Sequence, residues 1–253
     1  MKKTKHLTSW SVFEKFEDIP GEGNLEQKLS AMGIEGLEIF TLFDPFEIPY
    51  YKVPQVTSVH LPYAIDWHSA WNGRIYDGDV GDVRYFYFGL TREEMVTNLK
   101  SAIDYAAVLN PAYGVLHAGH TDMTQVLSKA HHNDPKILVD FCELINRVVA
   151  LYPDGEPPFR LAFENLWWEG LNLRDPSEWK VFEDHLEFDN WGFTLDTGHL
   201  MNPCPGAYDE DSAIDELLDV VSRYPQDMID RIGTMHLRLS TTARYRETFT
   251  PEE

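Results

Sequence analysis

A carboxylate and an imidazole stand three residues apart in residues 191–202, which read WGFTLDTGHLMN. Apolar and polar residues alternate up to Asp196, a period-two pattern that predicts a short strand with two distinct faces. We expect Gly198 to let the backbone turn sharply, so that His199 lies over the same opening as Asp196. Carboxylate oxygen and imidazole nitrogen suit Zn, Mn or Fe. Taken alone, the pair also fits a turn-capping Asp beside a surface His.

Histidine and glutamate residues also stand at the ends of further short apolar segments. His60, His117, Glu164 and His236 each stand at the end of such a segment. Carboxylates and imidazoles that crowd together in a dry cavity repel each other, or stay unsatisfied, unless a cation lies among them. The set therefore predicts a divalent-metal site, with Zn or Mn as the expected ion and Mg or Co as alternatives.

Each of these residues also has a purely structural interpretation. His60 fits a strand-end histidine that is hydrogen-bonded to a loop carbonyl. His120 fits a residue that orients His117 through its second ring nitrogen. Glu164 fits a cap for the segment that follows it. The coincidence of so many such residues at strand ends favours one shared site.

Seven short strands alternate with helical segments that would position these side chains. Strands are predicted in residues 6–13, 36–42, 56–62, 113–117, 159–164, 191–196 and 232–237. Helices are predicted in residues 24–32, 135–151 and 177–185. A further helix is predicted to begin at a capping box of Thr91 and Glu94, and another to contain Ile214 to Val221. This alternation implies parallel strands. We expect residues 1–253 to form one (β/α) barrel domain, with a doubly wound sheet as the second choice.

Residues 63–90 form a long segment without a clear period and rich in Trp, Tyr, Gly and Asp. Loops of this length usually serve as lids or substrate walls. Trp67 and Trp71 in this loop, and Trp167 and Trp168 after Glu164, could stack on a sugar face, although packing at the barrel rim explains each one equally well. The loop residues His131 and His132 are expected to be exposed and without a role.

The composition narrows the classes of function. The 253 residues carry 42 acidic and 21 basic side chains, a formal net charge of −21, which argues against nucleic acid as a partner. No run of eighteen apolar residues and no apolar leader is present, so we expect no membrane association. The two cysteines, Cys142 and Cys204, make no disulfide framework, and Cys142 fits a core position. A reducing cytoplasm is the expected location.

Five motifs carry a resemblance to a known superfamily: His60-Leu-Pro-Tyr, His117-Ala-Gly-His, Phe163-Glu-Asn, Leu195-Asp-Thr-Gly-His and Met235-His-Leu. Together they resemble the strand-end motifs of the xylose isomerase-like TIM barrels, which include sugar isomerases and epimerases and the endonuclease IV group. The resemblance implies a divalent metal held by Glu164, Asp196 and His236. In the nuclease branch, the positions of His60, His117 and His199 also bind zinc.

Two departures from that pattern stand out. The superfamily normally has an eighth strand that ends in a glutamate and completes the metal site, whereas residues 240–253 are too short for a helix and a further strand. We therefore expect a barrel that is open or closed in some other way, or a sequence that is a fragment. Glu247, Glu252 or Glu253 could take the place of the missing glutamate. The nuclease branch also has an Asp-x-His after strand seven, which residues 241–244 do not match.

Three functions remain open at this point. The preferred one is metal-dependent isomerisation or epimerisation of a sugar or polyol-like small molecule, with Glu164 as ligand and proton acceptor and with His199 and Arg238 holding substrate oxygens. The alternative is a Zn-dependent phosphodiesterase of the endonuclease IV kind that uses all the histidines. The third is a non-catalytic barrel that binds a metal or ligand, or pairs as a homo-oligomer across an open sheet edge.

Overall fold

The computed structural model describes residues 4–46, 55–122, 134–204 and 206–241. The main sheet has seven parallel strands, and a two-stranded antiparallel ribbon lies beside it. In chain order the strands are β1 Leu7–Ser11, β2 Gly36–Phe40, β3 Val56–His60, β4 Tyr113–His117, β5 Gly119–His120, β6 Arg160–Glu164, β7 Glu169–Gly170, β8 Trp191–Asp196 and β9 Ile232–His236. All seven predicted strands are therefore confirmed, while the β5–β7 ribbon was not predicted.

The order of strands in the sheet is β1-β2-β3-β4-β6-β8-β9. Each new strand adds at the same edge and the direction never reverses, which excludes the doubly wound alternative, whose strand order reverses once. Glu38 on β2 and His236 on β9 approach to 3.1 Å although four strands separate them. The sheet must therefore curl into part of a barrel. Within the described residues, β1 and β9 each pair on one side only. Residues 242–253, which follow β9, lie outside the described residues.

Nine helices are described, together with a 3-10 turn at Phe16–Asp18. They are α1 Leu25–Ala31, α2 Trp67–Trp71, α3 Val83–Tyr87, α4 Arg92–Ala107, α5 Lys136–Val149, α6 Glu178–His185, α7 Thr197–Met201, α8 Glu210–Ser222 and α9 Gln226–Arg231. The five predicted helices correspond to α1, α4, α5, α6 and α8, and the four others are short. No helix in the described ranges is both long enough and apolar enough to cross a membrane.

Helix α4 begins as its sequence predicts, with one difference. The Thr91 hydroxyl accepts the backbone N–H of Glu94 at 3.1 Å, which caps the helix. The Glu94 carboxylate accepts the N–H of Leu90 at 2.8 Å, rather than that of Thr91 as a capping box requires. The helix therefore starts at the predicted place, with its first turn tied one residue further upstream.

The helices bury apolar faces against the outer surface of the sheet. Helix α5 has the longest such face, with Phe141, Leu144, Ile145 and Val148 all buried. Cys142 on the same helix is buried and free, as predicted. This packing holds the strands in place, so that their carboxyl ends present side chains to one mouth of the barrel.

The concave side of the sheet is polar. Alternate residues of each strand face inward, and these include Glu38, Ser58, Thr194 and Thr234. The hydroxyls of Tyr113 on β4 and Thr234 on β9 lie 3.1 Å apart, a hydrogen bond that has to cross the interior because two strands separate β4 from β9. Polar groups thus extend below the mouth and into the barrel.

The long segment after β3 is not an open loop. It contains α2 and α3, and it buries Trp67 and Trp71 at 0% and 2% exposure. The Trp67 indole N–H donates to the Gly119 carbonyl at 2.9 Å, and the Trp71 ring lies under the guanidinium of Arg92. The suggestion that these two tryptophans stack on a sugar is therefore wrong. Their apolar surface stabilises the barrel wall instead.

Candidate functional site

Glu164, the last residue of β6, lies at the centre of the site with 1% of its surface exposed. One carboxylate oxygen, Oε2, is 3.2 Å from Nε2 of His60 and 3.2 Å from Nε2 of His117. The other, Oε1, is 3.0 Å from Nδ1 of His236 and 3.4 Å from Nδ1 of His199. A single buried carboxylate therefore contacts imidazoles from four separate segments of the chain.

The orientation of His60 is fixed by the backbone beside it. Its Nδ1 donates to the Leu61 carbonyl at 3.0 Å, because a carbonyl oxygen only accepts hydrogen bonds. The ring also stacks on Phe40 with 4.3 Å between centroids. The remaining nitrogen, Nε2, thus faces Glu164. A loop carbonyl does bond this histidine, as the structural interpretation held, and the bond aims Nε2 at the carboxylate.

His117 approaches Glu164 from β4, with Tyr63 stacked on its ring at 4.1 Å. Burial lowers the pKa of His117 to about 4, against the opposing effect of the Glu164 carboxylate. The imidazole is therefore neutral near pH 7 and carries a lone pair on one nitrogen. Among the described residues its buried Nδ1 has no hydrogen-bond partner.

Asp196 caps a helix and also faces the site. Its Oδ1 accepts the backbone N–H of His199 at 2.8 Å, which starts α7, while Oδ2 accepts the Nε–H of Arg238 at 2.9 Å and a second guanidinium N–H. The side chain of Asn165 bonds both the N–H and the carbonyl of Asp196, at 2.8 and 3.1 Å. This pair of bonds holds the end of β8 beside the end of β6. The capping interpretation and the site interpretation of Asp196 are compatible.

Gly198 acts differently from the prediction. It lies inside α7 rather than in a sharp turn, and its φ is not positive. A Cβ built at this position would lie 3.0 Å from Cβ of Arg238 and 3.3 Å from Oδ1 of Asp196. The missing side chain therefore lets Arg238 approach the Asp196 carboxylate.

His199 is held with a defined pair of partners. Its Nδ1 donates to the Asn165 carbonyl at 2.9 Å, which leaves Nε2 to accept from Arg238 at 3.0 Å. Burial lowers the pKa of His199, although the Asp196 and Glu164 carboxylates oppose the shift. The Trp167 ring lies edge-on at 4.6 Å. The nitrogen with the lone pair thus faces Arg238 rather than the carboxylates.

His236, the last residue of β9, lies between carboxylates. Its Nδ1 is 3.0 Å from Oε1 of Glu164 and 3.8 Å from Oδ2 of Asp196, and its Nε2 is 3.1 Å from Oε1 of Glu38. Burial alone would lower the pKa of His236, but the hydrogen bond to Glu164 and the neighbouring Glu38 carboxylate outweigh it and raise the pKa to about 10. The three carboxylates around His236 therefore stabilise its protonated, positively charged form.

The surroundings of Glu164 likewise stabilise its charged form. Burial would raise its pKa, but the contacts from His117, His236 and His60 hold it well below the usual range. Two groups of ligand-type residues share this carboxylate: one is Glu164 with His60 and His117, and the other is Glu164 with Asp196 and His199. Buried carboxylates and neutral imidazoles with converging donor atoms fit a divalent cation.

The predicted site residues fall into two classes in the structure. Those brought together at the mouth are His60, His117, Glu164, Asp196, His199, His236 and Arg238. His120 is not among them, since it accepts the N–H of His68 at 3.4 Å and lies 3.6 Å from Asp66 in a second buried cluster. It therefore does not orient His117. His131, His132, Glu247, Glu252 and Glu253 lie outside the described residues.

Glu38 belongs to the site although the sequence did not single it out. It is 4% exposed on β2 and contacts His236. A signal was present, because a glutamate between Leu37 and Ile39 interrupts an apolar strand and buried glutamates are rare unless paired.

Similarities to known proteins agree with this architecture. Residues 89–246, more than half of the chain, match the family described as xylose isomerase-like TIM barrel. No curated protein matches the sequence.

Three solved structures illustrate the range of relatives. Endonuclease IV from Thermus thermophilus is 16% identical, with a TM-score of 0.51 over 95% of this chain and 80% of that one. D-psicose 3-epimerase, solved in the presence of D-fructose, is 14% identical, with a TM-score of 0.54 over 92% and 72%. The probable 3-DHS dehydratase AsbF from Bacillus anthracis is 13% identical, with a TM-score of 0.55 over 98% and 78%.

At such identities the likeness to these structures shows the fold, and the named activities differ among them. The family match, the sequential parallel strands and the strand-end residues all agree. The chain belongs to the xylose isomerase-like TIM barrel family.

Proposed function

We propose that the protein is a divalent-metal-dependent isomerase or epimerase that acts on a sugar or polyol-like small molecule. The observation that carries the proposal is the buried Glu164 carboxylate, whose ligand atoms converge with those of Asp196 and His199 and with those of His60 and His117. His236 Nδ1 lies 3.0 Å from Glu164 and 3.8 Å from Asp196. Burying these groups together costs desolvation energy, which a divalent cation among them would help to offset.

The ligands proposed for the cation are Glu164, Asp196 and His236. A bound divalent ion would polarise adjacent oxygens of a carbohydrate and stabilise negative charge that develops on them. The residues of this chain supply the rest of the chemistry. Glu164 is one of the proposed ligands, and because its imidazole partners keep it ionised, we also assign it the role of proton acceptor.

The substrate side of the site lies around Arg238. Its side chain is 58% exposed, and its guanidinium reaches both Asp196 and Nε2 of His199. The partly exposed guanidinium of Arg238 suits the oxygens of a polyol, which would share its N–H groups with Asp196 and His199. The ring of Trp167 beside His199 supplies an aromatic wall on which a sugar face can lie.

A Zn-dependent phosphodiesterase of the endonuclease IV kind is the second candidate. It is favoured by the group of His60, His117 and Glu164, whose ligand atoms converge as a second metal site would require. The geometry of His199 argues against this candidate, which needs His199 as a zinc ligand. The Nδ1 proton of His199 is directed at the Asn165 carbonyl, and its Nε2 faces the guanidinium of Arg238. The net charge of −21 also disfavours a DNA substrate. A cytoplasmic location and self-association stay predictions.

The test is the metal content of the native protein, measured by mass spectrometry. We expect one Mn, Co or Mg ion per chain, and we expect Glu164→Ala and Asp196→Ala to lose it. Glu210→Ala, which removes an exposed carboxylate in the first turn of α8, is the control and should keep the ion. Two or more Zn ions per chain would favour the hydrolase, no ion would favour a non-catalytic barrel, and full metal in both site variants would show that the ligands are wrongly assigned.

A further inference from the structure

Glu38 is a buried carboxylate on β2 that the proposed reaction does not use. Its Oε2 accepts the hydroxyl of Ser58 at 3.0 Å, and its Oε1 lies 3.1 Å from Nε2 of His236. Ser58 stands opposite Glu38 on the neighbouring strand β3, so the carboxylate is held from its own side of the barrel. His236 comes from β9 at the other end of the sheet. The contact therefore spans the interior of the barrel.

The two nitrogens of His236 face different carboxylates. Nε2 faces Glu38, whereas Nδ1 lies 3.0 Å from Glu164 and 3.8 Å from Asp196. Among the described residues the buried Nε2 makes no well-aligned hydrogen bond, and the Glu38 carboxylate 3.1 Å away offers an acceptor to a proton on it. The same rule puts a second proton on Nδ1, which donates to Glu164 at 3.0 Å, and a divalent cation at Glu164 and Asp196 would displace that proton and leave the lone pair on Nδ1. The geometry directs that lone pair toward the oxygens of Glu164 and Asp196.

We propose that Glu38 is a positioning residue, which keeps the proton of His236 on Nε2 and thereby presents Nδ1 as a ligand nitrogen to a divalent cation held by Glu164 and Asp196. The inference rests on the proposed metal-dependent function. Histidine ligands commonly donate their second ring N–H to a carboxylate, which fixes the tautomer, orients the ring and strengthens the ligand. Ser58 completes the arrangement, because its hydroxyl holds the Glu38 carboxylate in place.

A simple tie between distant strands is the competing explanation for the same contact. Such a tie would contribute to the free energy of unfolding and would leave the affinity for a cation unchanged. The two explanations therefore differ in metal affinity and in the tautomer of His236, and neither readout requires the substrate.

The experiment compares Glu38→Ala and Glu38→Gln with the wild-type protein by calorimetric titration with Mn²⁺. We expect Glu38→Ala to weaken Mn²⁺ binding about 10- to 100-fold. Glu38→Gln should weaken it less, because the amide oxygen still accepts the Nε2 proton. The control is Glu178→Gln, which alters another buried glutamate, one that accepts the N–H groups of Asn172 and Leu173 and not a proton from His236. It should bind Mn²⁺ as the wild type does.

The second readout is the histidine ¹⁵N spectrum of the Zn²⁺-loaded protein, with the His236 signal identified from a His236→Gln sample. We expect a protonated Nε2 in the wild type and in Glu38→Gln, and loss of that fixed tautomer in Glu38→Ala. Mn²⁺ affinities within twofold of the wild type in both Glu38 variants, with an unchanged His236 tautomer, would overturn the positioning role and leave the proposed function intact. Failure of the wild type to bind Mn²⁺ or Zn²⁺ would overturn both.

If Glu38→Ala does not fold, the isosteric Glu38→Gln decides the question. Its thermal unfolding transition, compared with the wild type, shows whether the fold is retained. A folded Glu38→Gln with a reduced Mn²⁺ affinity supports the proposal, and one with wild-type affinity contradicts it.

Discussion

Arg238 brings a positive charge to one of the proposed metal ligands. Its guanidinium donates two hydrogen bonds to Oδ2 of Asp196 and lies 4.0 Å from Oε1 of Glu164. A cation that binds the same oxygens has to share them with this guanidinium or displace it. Because the side chain is more than half exposed, it can move toward solvent at modest cost.

Arg238→Met should therefore bind Mn²⁺ more tightly than the wild type. Removing a like charge beside the site is expected to raise the affinity about fivefold, on the order of 1 kcal/mol. Titration calorimetry checks this, with Arg74→Met as the control. Arg74 is a similarly exposed arginine that lies 3.8 Å from Asp122, away from Glu164. An unchanged or weaker Mn²⁺ affinity in Arg238→Met would mean that the guanidinium does not oppose the ion.

At the scale of elements, strand β8 depends on a glycine to accommodate its neighbour. Arg160 on β6 extends across Gly192, and its Nη2 donates to the Arg231 carbonyl at 3.1 Å. A Cβ at Gly192 would clash with that guanidinium and would lie 2.5 Å from the same carbonyl oxygen. The backbone oxygen cannot retreat without moving the start of β9, the strand that carries His236.

Gly192→Ala should thus destabilise the protein by about 1–3 kcal/mol, the usual cost of overpacking. Gly233→Ala on the adjacent strand is the matched control, because a Cβ there meets its nearest atoms, in the Arg160 guanidinium, at 3.7 Å. Urea unfolding at pH 7 measures both free energies. Equal stabilities of the two variants would contradict the packing argument.

Over the whole molecule, buried histidines couple stability to pH. His117 and His120 lie in separate clusters, and burial is the main cause of the low pKa in each, about 4 for His117 and about 3 for His120. In an unfolded chain a histidine has a pKa of about 6.5. The unfolded state therefore takes up protons first as the pH falls. The stability from these neutral rings is fully present above about pH 6.5 and declines toward pH 4.

His120→Gln should reduce this acid sensitivity. Replacing one such group is expected to lessen the pH slope of the unfolding free energy by about 1.4 kcal/mol per pH unit between roughly pH 6 and 4. Urea titrations at several pH values give the slope for each protein. His185→Gln, at the exposed end of α6, is the control substitution. An equal slope in wild type and His120→Gln would show that His120 does not titrate on unfolding.

The sequence determined the elements that are visible in local patterns. Period-two segments located all seven strands of the main sheet, and apolar spacing located the longer helices. The rule that parallel strands present their carboxyl ends at one mouth was enough to gather Glu164, Asp196 and His236. Local pattern worked here because strand ends are fixed by residues that are neighbours in the chain.

Only the tertiary structure decided which atoms face one another. His120 follows His117 by three residues, yet it lies in another cluster because the chain leaves β4 after His117. Glu38 meets His236 only because the sheet curls, and Arg238 reaches Asp196 only because Gly198 leaves room. The contacts of Glu38 and Arg238 join residues that are 198 and 42 positions apart. No local periodicity encodes such distances, since they depend on how the strands curve and pack.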